Sequence, residues 1–262
     1  MRVRKRFGQH FLHDPGVIRR IIDTVAPQAC ERIVEVGPGR GALTWGLLER
    51  AKHLDVIEID RDLAQALQAD PRAKSGLHVH VENVLDTDFH RLRGTGEPLR
   101  VVGNLPYNIS TPLLFRLLTQ RAAISDMYFM LQKEVVDRMA AQPGTKDYGR
   151  LTVMIAAAAE VKGLFDVGPG AFQPRPKVWS AIVHVRPAES PRFDIGGDGA
   201  LRTLVTTAFS HRRKTLRNAL KGLLAWQDIE SCGIDPQLRP ETLAPAQFGL
   251  LAAHYSRLVG YT

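Results

Sequence analysis

Five short apolar runs, RIVEVG (32–37), HLDVIEID (53–60), LHVHVEN (77–83), LRVVGN (99–104) and DMYFMLQ (126–132), follow one another through the first half of the chain. Most are separated by segments with apolar residues at helical spacing, as at 43–50, 61–69 and 112–119. Strands that rejoin a sheet through helices run parallel, and a parallel sheet must be covered on both faces. The alternation therefore predicts an open, mostly parallel α/β sheet with crossover helices on both sides. Ahead of it, Asp14 and Pro15 predict the cap and first position of a helix whose Val17, Ile18, Ile21, Ile22 and Val25 share one face.

The pattern changes near the other end. AIVHVRP stops at Pro187, and AESPRFDIGGDG, rich in Gly, Pro and charge, predicts a linker. From Ala200 onward no strand pattern remains, and ALRTLVTTAF, TLRNALKGLLAW and PAQFGLLAAHYSRLV predict helices. Two domains are expected: an α/β domain over 1–187 and a small all-helical one over 188–262.

VEVGPGRGALT follows the first strand and opens a helix, so Gly37, Gly39 and Gly41 fall where open α/β sheets bind ligands, outside the carboxyl ends of their strands. Gly37, Gly39 and Ala42 satisfy a dinucleotide fingerprint, and Glu58, 58 − 37 = 21 residues on, stands where a ribose-binding acid belongs. A nicotinamide-dependent oxidoreductase therefore competes with a methyltransferase. Two residues favour the latter. Glu35 would set negative charge near a pyrophosphate, and Pro38 removes an N–H that could donate to one. S-adenosylmethionine has no phosphate, and its sulfonium and ammonium suit an acidic strand tip.

A second strand ends unusually, in VVGNLPYNIST (101–111). Leu105, before a proline, is biased to extended backbone and holds its carbonyl outward, and Pro106 sets the turn. The Asn104 amide oxygen and the Leu105 carbonyl then form two adjacent acceptors that match the two hydrogens of an exocyclic amine. Such an amine is a poor nucleophile because its lone pair is delocalised, and two acceptors help bring it toward tetrahedral geometry without a strong base. Tyr107 offers a stacking face for an extruded base, and Phe172, in AFQPRPKVWSAIV, is a candidate for the other face.

Lys plus Arg number 35 against 27 Asp plus Glu, a formal charge of +8 that fits a polyanionic partner. SHRRKTLRNALKG holds Arg212, Arg213, Lys214, Arg217 and Lys221, and a helix there would place Arg213, Arg217 and Lys221 in one row of like charge suited to phosphates. Arg2, Arg4, Lys5 and Arg6 form a second basic arm. The only cysteines, Cys30 and Cys232, suggest neither disulfide nor zinc site, and a reducing cytoplasm is the expected home. No apolar run long enough for a signal peptide follows the basic start, and LTVMIAAAAEV is too short to span a bilayer. His78 and His80 alternate on one strand face without a third metal ligand in view, so no metal is expected. Trp45, Trp179 and Trp226 share no spacing and are assigned to packing.

Taken together, RFGQHFLHD, EVGPGRGALT, VIEID, GNLPYNISTPLL, FMLQKEV, AFQPRPKVWSAIV and FSHRRKTLRNAL resemble, in order and over nearly the whole chain, the small-subunit ribosomal RNA adenine dimethyltransferases of the KsgA type. The resemblance implies a class I methyltransferase fold, Rossmann-like, with a small helical C-terminal domain. It implies dimethylation of two adjacent adenosines in the 3′-terminal hairpin of 16S rRNA within the small subunit, with S-adenosylmethionine as donor and a part in subunit maturation. A monomer is expected. The cofactor contacts it implies are His10, Leu12, Gly37, Glu58, Asn83 and Asn104. The family commonly has Asn where His10 stands and Asp where Asn83 stands; an amide oxygen at 83 can still accept from an adenine amine. A macrolide-resistance-type dimethyltransferase of 23S rRNA and a non-catalytic assembly factor are the alternatives.

Overall fold

The computed structural model describes residues 10–260. Contacts divide the chain into two compact units, Met1–Val136 with Lys162–Pro187, and Asp137–Val161 with Ala188–Thr262. The second unit thus takes in a segment that precedes Pro187 as well as the tail beyond it.

The first unit is built on β2 (Ile33–Val36), β3 (Leu54–Ile57), β4 (Leu77–His80), β5 (Leu99–Asn104), β6 (Ile124–Gln132), β7 (Ala159–Val167) and β9 (Ser180–Pro187), ordered β4-β3-β2-β5-β6-β9-β7. The ladders from β4 through β6 are parallel, and β9 runs antiparallel to β6. Helices α1 (Pro15–Val25), α2 (Thr44–Ala51), α3 (Arg61–Ala69), α4 (Phe89–Arg93), α5 (Ser110–Thr119) and α6 (Lys133–Met139) precede or interleave the parallel strands. This is the expected mostly parallel α/β sheet. The central β2 buries all four residues, as a strand covered on both faces must. Edge strand β7, AEVKGLFDV, exposes Glu160, Lys162 and Gly163, and that weak pattern hid it from the sequence analysis.

Helix α1 begins where Asp14 and Pro15 predict: the Asp14 carboxylate accepts from the Gly16 and Val17 amides at 2.8 and 3.0 Å. Its buried Ile21, Ile22 and Val25 each contribute roughly 1.5–3 kcal/mol. A two-stranded ladder joins β1 (Phe11–Leu12) to β8 (Phe172–Gln173), pairing Leu12 with Phe172. The N-terminal motif is thereby tied to the segment between β7 and β9.

The second unit packs α7 (Arg150–Ala158), α8 (Asp198–Ser210), α9 (Leu216–Ala219), α10 (Trp226–Ser231) and α11 (Pro245–Val259) around Val153, Leu204, Leu220, Ile229, Phe248 and Leu251. Tyr148 is fully buried there and its hydroxyl donates to the Leu243 carbonyl at 2.6 Å.

TLRNALKGLLAW does not form the single helix expected of it. Helix α9 stops after four residues, and Gly222, at φ +95°, turns the chain before α10. Arg213, Arg217 and Lys221 therefore do not form an i, i+4, i+8 row: Arg213 lies in the turn before α9 and Lys221 in the turn after it. No described helix is long and apolar enough to cross a membrane.

Candidate active site

A cleft of about 160 Å³ opens at the carboxyl ends of β2, β3 and β5. These three strand ends, the segment that follows β4 and one strap build it. The strand end of β2 runs into Gly37, Gly39 and Gly41, at φ +65°, +58° and +80°, a backbone that side-chain-bearing residues rarely adopt. The glycine loop is thus a conformational requirement. Its Pro38 contributes no N–H.

At the end of β3 the ladder stops at Ile57, earlier than the expected strand, and Glu58 turns into the cleft. Its carboxylate accepts from the Gly39 amide at 3.1 Å and the Asp60 amide at 2.9 Å. Asp60 in turn caps α3 through the Asp62 amide. Burial raises the Glu58 pKa above its ordinary range, opposed by those amide hydrogen bonds. Below it, Glu35 is 2% exposed and accepts from the Thr44 hydroxyl at 2.6 Å. Burial, with the Glu58 charge as a smaller contribution, pushes Glu35 up to about 8. Two acids under one small cleft cannot both ionise cheaply, so the site favours a cationic ligand and disfavours a pyrophosphate.

The end of β5 requires Gly103: a Cβ there would stand 2.6 Å from the Val36 carbonyl oxygen. That close approach carries Asn104, Leu105, Pro106 and Tyr107 to the cleft wall. The Asn104 amide nitrogen donates to the His10 carbonyl at 3.1 Å. Its oxygen is left to accept. The Leu105 amide donates to the Met130 carbonyl at 3.2 Å, pinning the tip to β6. Tyr107 shares a 3.0 Å hydroxyl hydrogen bond with Ser180, and its ring lies 5.8 Å from that of His10.

His10 and Leu12 reach the cleft on the β1–β8 strap. The His10 ring bonds the Pro174 carbonyl through Nδ1 at 2.7 Å; a carbonyl only accepts, so Nδ1 carries the proton. Asn83 lines the opposite wall. Its oxygen accepts from the Leu85 amide at 3.2 Å and its nitrogen donates to Asp86 at 2.8 Å, leaving one lone pair for a ligand. The structure thus brings His10, Leu12, Gly37, Glu58, Asn83, Asn104, Leu105, Pro106 and Tyr107 to one cleft.

Phe172 is a correction. It is 3% exposed and packed in the core with Leu12, Leu43 and Ile182, because pairing with Leu12 turns it inward; it presents no face to a base. Arg212 is another. Its guanidinium bonds Glu241 at 2.6 Å and the Lys146 and Thr145 carbonyls at 2.9 and 3.1 Å, so it clamps its own unit together. Arg213, Lys214, Arg217 and Lys221 remain exposed. The basic arm Arg2, Arg4, Lys5 and Arg6 lies outside the described residues. His80 bonds Asp55 at 2.7 Å, and no group of three or more metal-ligating residues occurs among the described residues.

Sequence analysis missed Ile59 and Phe11. Ile59 stands at the mouth beside Glu58, half exposed although large and apolar. An apolar residue following the acid at a strand end was the available signal. Phe11 lies against the glycine loop under the Arg40 guanidinium, 4.5 Å from its ring centroid.

The family model described as ribosomal RNA adenine dimethylase matches residues 1–255. A curated relative from Pseudomonas aeruginosa, "Ribosomal RNA small subunit methyltransferase A", is 52% identical over 99% of this chain and 97% of its own length. Among solved structures, a dimethyladenosine transferase from Plasmodium falciparum superposes with a TM-score of 0.79 at 26% identity, covering 92% of this chain and 96% of its own. The 23S rRNA methyltransferase ErmE gives a TM-score of 0.71 at 26% identity, covering 93% and 98%.

Proposed function

Since the chain belongs to the ribosomal RNA adenine dimethylase family and is an S-adenosylmethionine-dependent methyltransferase, we propose a specific assignment of its residues to that chemistry and a specific RNA context. It dimethylates the 6-amino groups of two adjacent adenosines in the 3′-terminal hairpin of 16S rRNA, within the small ribosomal subunit, and contributes to subunit maturation in the cytoplasm as a monomer. Full-length relatives at about half identity named for the small subunit support this over the 23S alternative, whose structural neighbour is 26% identical.

The residues fit the donor. Glu58 accepts one backbone amide on each carboxylate oxygen, and each oxygen keeps a lone pair for the ribose hydroxyls. Gly37 lets the loop backbone approach, Asn83 meets the adenine end, and the Glu35 carboxyl, kept largely neutral by burial, gains charge as the positive donor enters. His10 and Leu12 close the cleft from the strap. When bound, the donor supplies an electrophilic methyl group on a sulfonium.

The observation that carries the assignment is the Asn104 hydrogen bond to His10. It commits the amide nitrogen and leaves the oxygen to accept from substrate. The Asn104 oxygen and the Leu105 carbonyl then hold both hydrogens of the target amine, with its lone pair aimed at the methyl. Tyr107, fixed by Ser180, stacks the base. As the nitrogen–methyl bond forms, the methyl–sulfur bond would break to leave a neutral thioether, and the proton shed by the nitrogen passes to water. The unit of residues 1–136 and 162–187 carries the chemistry, and the helical unit of 137–161 and 188–262 is the RNA-binding part, with Arg213, Lys214, Arg217 and Lys221 facing phosphates.

The test is methyl transfer from labelled S-adenosylmethionine to under-methylated small subunits, followed by mass spectrometry of the rRNA. Dimethyladenosine at adjacent positions is expected. Methylation of naked 23S rRNA with the small subunit untouched would refute the proposed RNA.

A further inference from the structure

The loop between β8 and β9, Pro174–Trp179, exposes an aromatic ring and two cations beside the catalytic tip. Trp179 is 55% exposed, where its lack of shared spacing suggests packing; its ring edge lies beside Gly168. Arg175 and Lys177 are also exposed, form no ion pair among the described residues, and have no acidic residue between them and the tryptophan.

The loop is held on the reactive edge of the sheet. Strand β9 runs antiparallel, so its first residue, Ser180, pairs with Gln132, the last residue of β6. Trp179 therefore lies just beyond the carboxyl edge that carries Asn104 and Tyr107. Three bonds fix it: the Lys133 amide to the Trp179 carbonyl at 2.9 Å, Ser180 to Tyr107, and His10 to the Pro174 carbonyl. Pro174 and Pro176 further restrict the backbone, so little ordering entropy remains to be lost on binding.

A large exposed aromatic next to unpaired cations, at a site that must hold an RNA strand with one base extruded, has the chemistry of a stacking platform for single-stranded nucleic acid. We propose that Trp179 stacks a nucleotide flanking the target adenosine while Arg175 and Lys177 engage the adjoining phosphates, so that this loop sets the path of the RNA strand through the site. This rests on the rRNA reading above.

The experiment compares wild type, Trp179→Ala, Trp179→Phe and the double variant R175E/K177E on under-methylated small subunits, with S-adenosylmethionine affinity by calorimetry and Tm alongside. Trp179→Ala is expected to lower kcat/KM for RNA about 5- to 150-fold, with donor affinity and Tm unchanged. Trp179→Phe should recover most of that loss, and the double reversal should raise KM and flatten its salt dependence. Three results would overturn the inference: Trp179→Ala within twofold of wild type, Trp179→Phe no better than alanine, or donor affinity falling in parallel. Should wild type methylate 23S rRNA and not the small subunit, the proposed RNA fails, and the same variants on 23S rRNA still judge the loop.

Discussion

The side-chain nitrogen of Asn104 donates to the main-chain carbonyl of His10 across 94 residues of sequence. One hydrogen bond thus ties the end of β5 to the β1–β8 strap and commits the amide nitrogen. Asn104→Ala removes both the acceptor and the tie. Its kcat is expected to fall by about 10²–10³ or more, while RNA affinity, dominated by phosphates, changes little. Normal single-turnover methylation by this variant would remove Asn104 from the mechanism.

Glu58→Gln keeps the side chain's shape and removes its charge. Charge-assisted hydrogen bonds contribute about 1.5–3 kcal/mol, so donor affinity should weaken about 10- to 150-fold. Calorimetry returning the wild-type affinity would refute the ribose role.

Glu35 gives a pH signature. Its carboxyl ionises near 4.5 in the unfolded chain and near 8 in the folded one. Between those values the folded chain holds more protons, so this group's contribution to stability is complete below about 4.5 and is lost as pH rises toward 8. Glu35→Gln should therefore gain on wild type as pH rises from 5 to 8.5, by an amount on the order of a few kcal/mol. Thermal unfolding of the donor-free proteins that shows a pH-independent difference would contradict the burial effect.

Gly103→Ala sets a methyl group against the Val36 carbonyl, a backbone atom that cannot swing aside. A cost of about 1–3 kcal/mol and a Tm lower by several degrees are expected. Unchanged Tm would mean that β2 and β5 separate freely.

In the helical unit, reversing Arg213 and Arg217 should reduce the slope of log affinity against log salt by about 2, one for each lost phosphate contact. Arg212→Ala should instead lower Tm, because Glu241 and the Thr145 and Lys146 carbonyls lose their shared donor. Filter binding at several salt concentrations separates the two effects.

Local spacing carried much of this protein. The parallel sheet followed from apolar runs alternating with helical segments, the loop conformation from Gly37, Gly39 and Gly41, and the turn that carries Asn104 to Tyr107 to the cleft wall from Gly103 and Pro106, because each depends on chemistry within a few residues. In 188–262 most helices were equally visible, but α9 spans only Leu216–Ala219, with Arg213 in the turn before it and Lys221 in the turn after it, so the expected row of Arg213, Arg217 and Lys221 does not form. What depended on distant partners was not legible. Only the β1–β8 pairing buries Phe172 and brings His10 to Asn104, and only the assembled sheet encloses the Glu35 carboxyl on β2 and raises its pKa. Only strand direction leaves Trp179 exposed at the reactive edge. Burial and hydrogen-bond direction are properties of neighbours far along the chain, and those neighbours meet only when the sheet has formed.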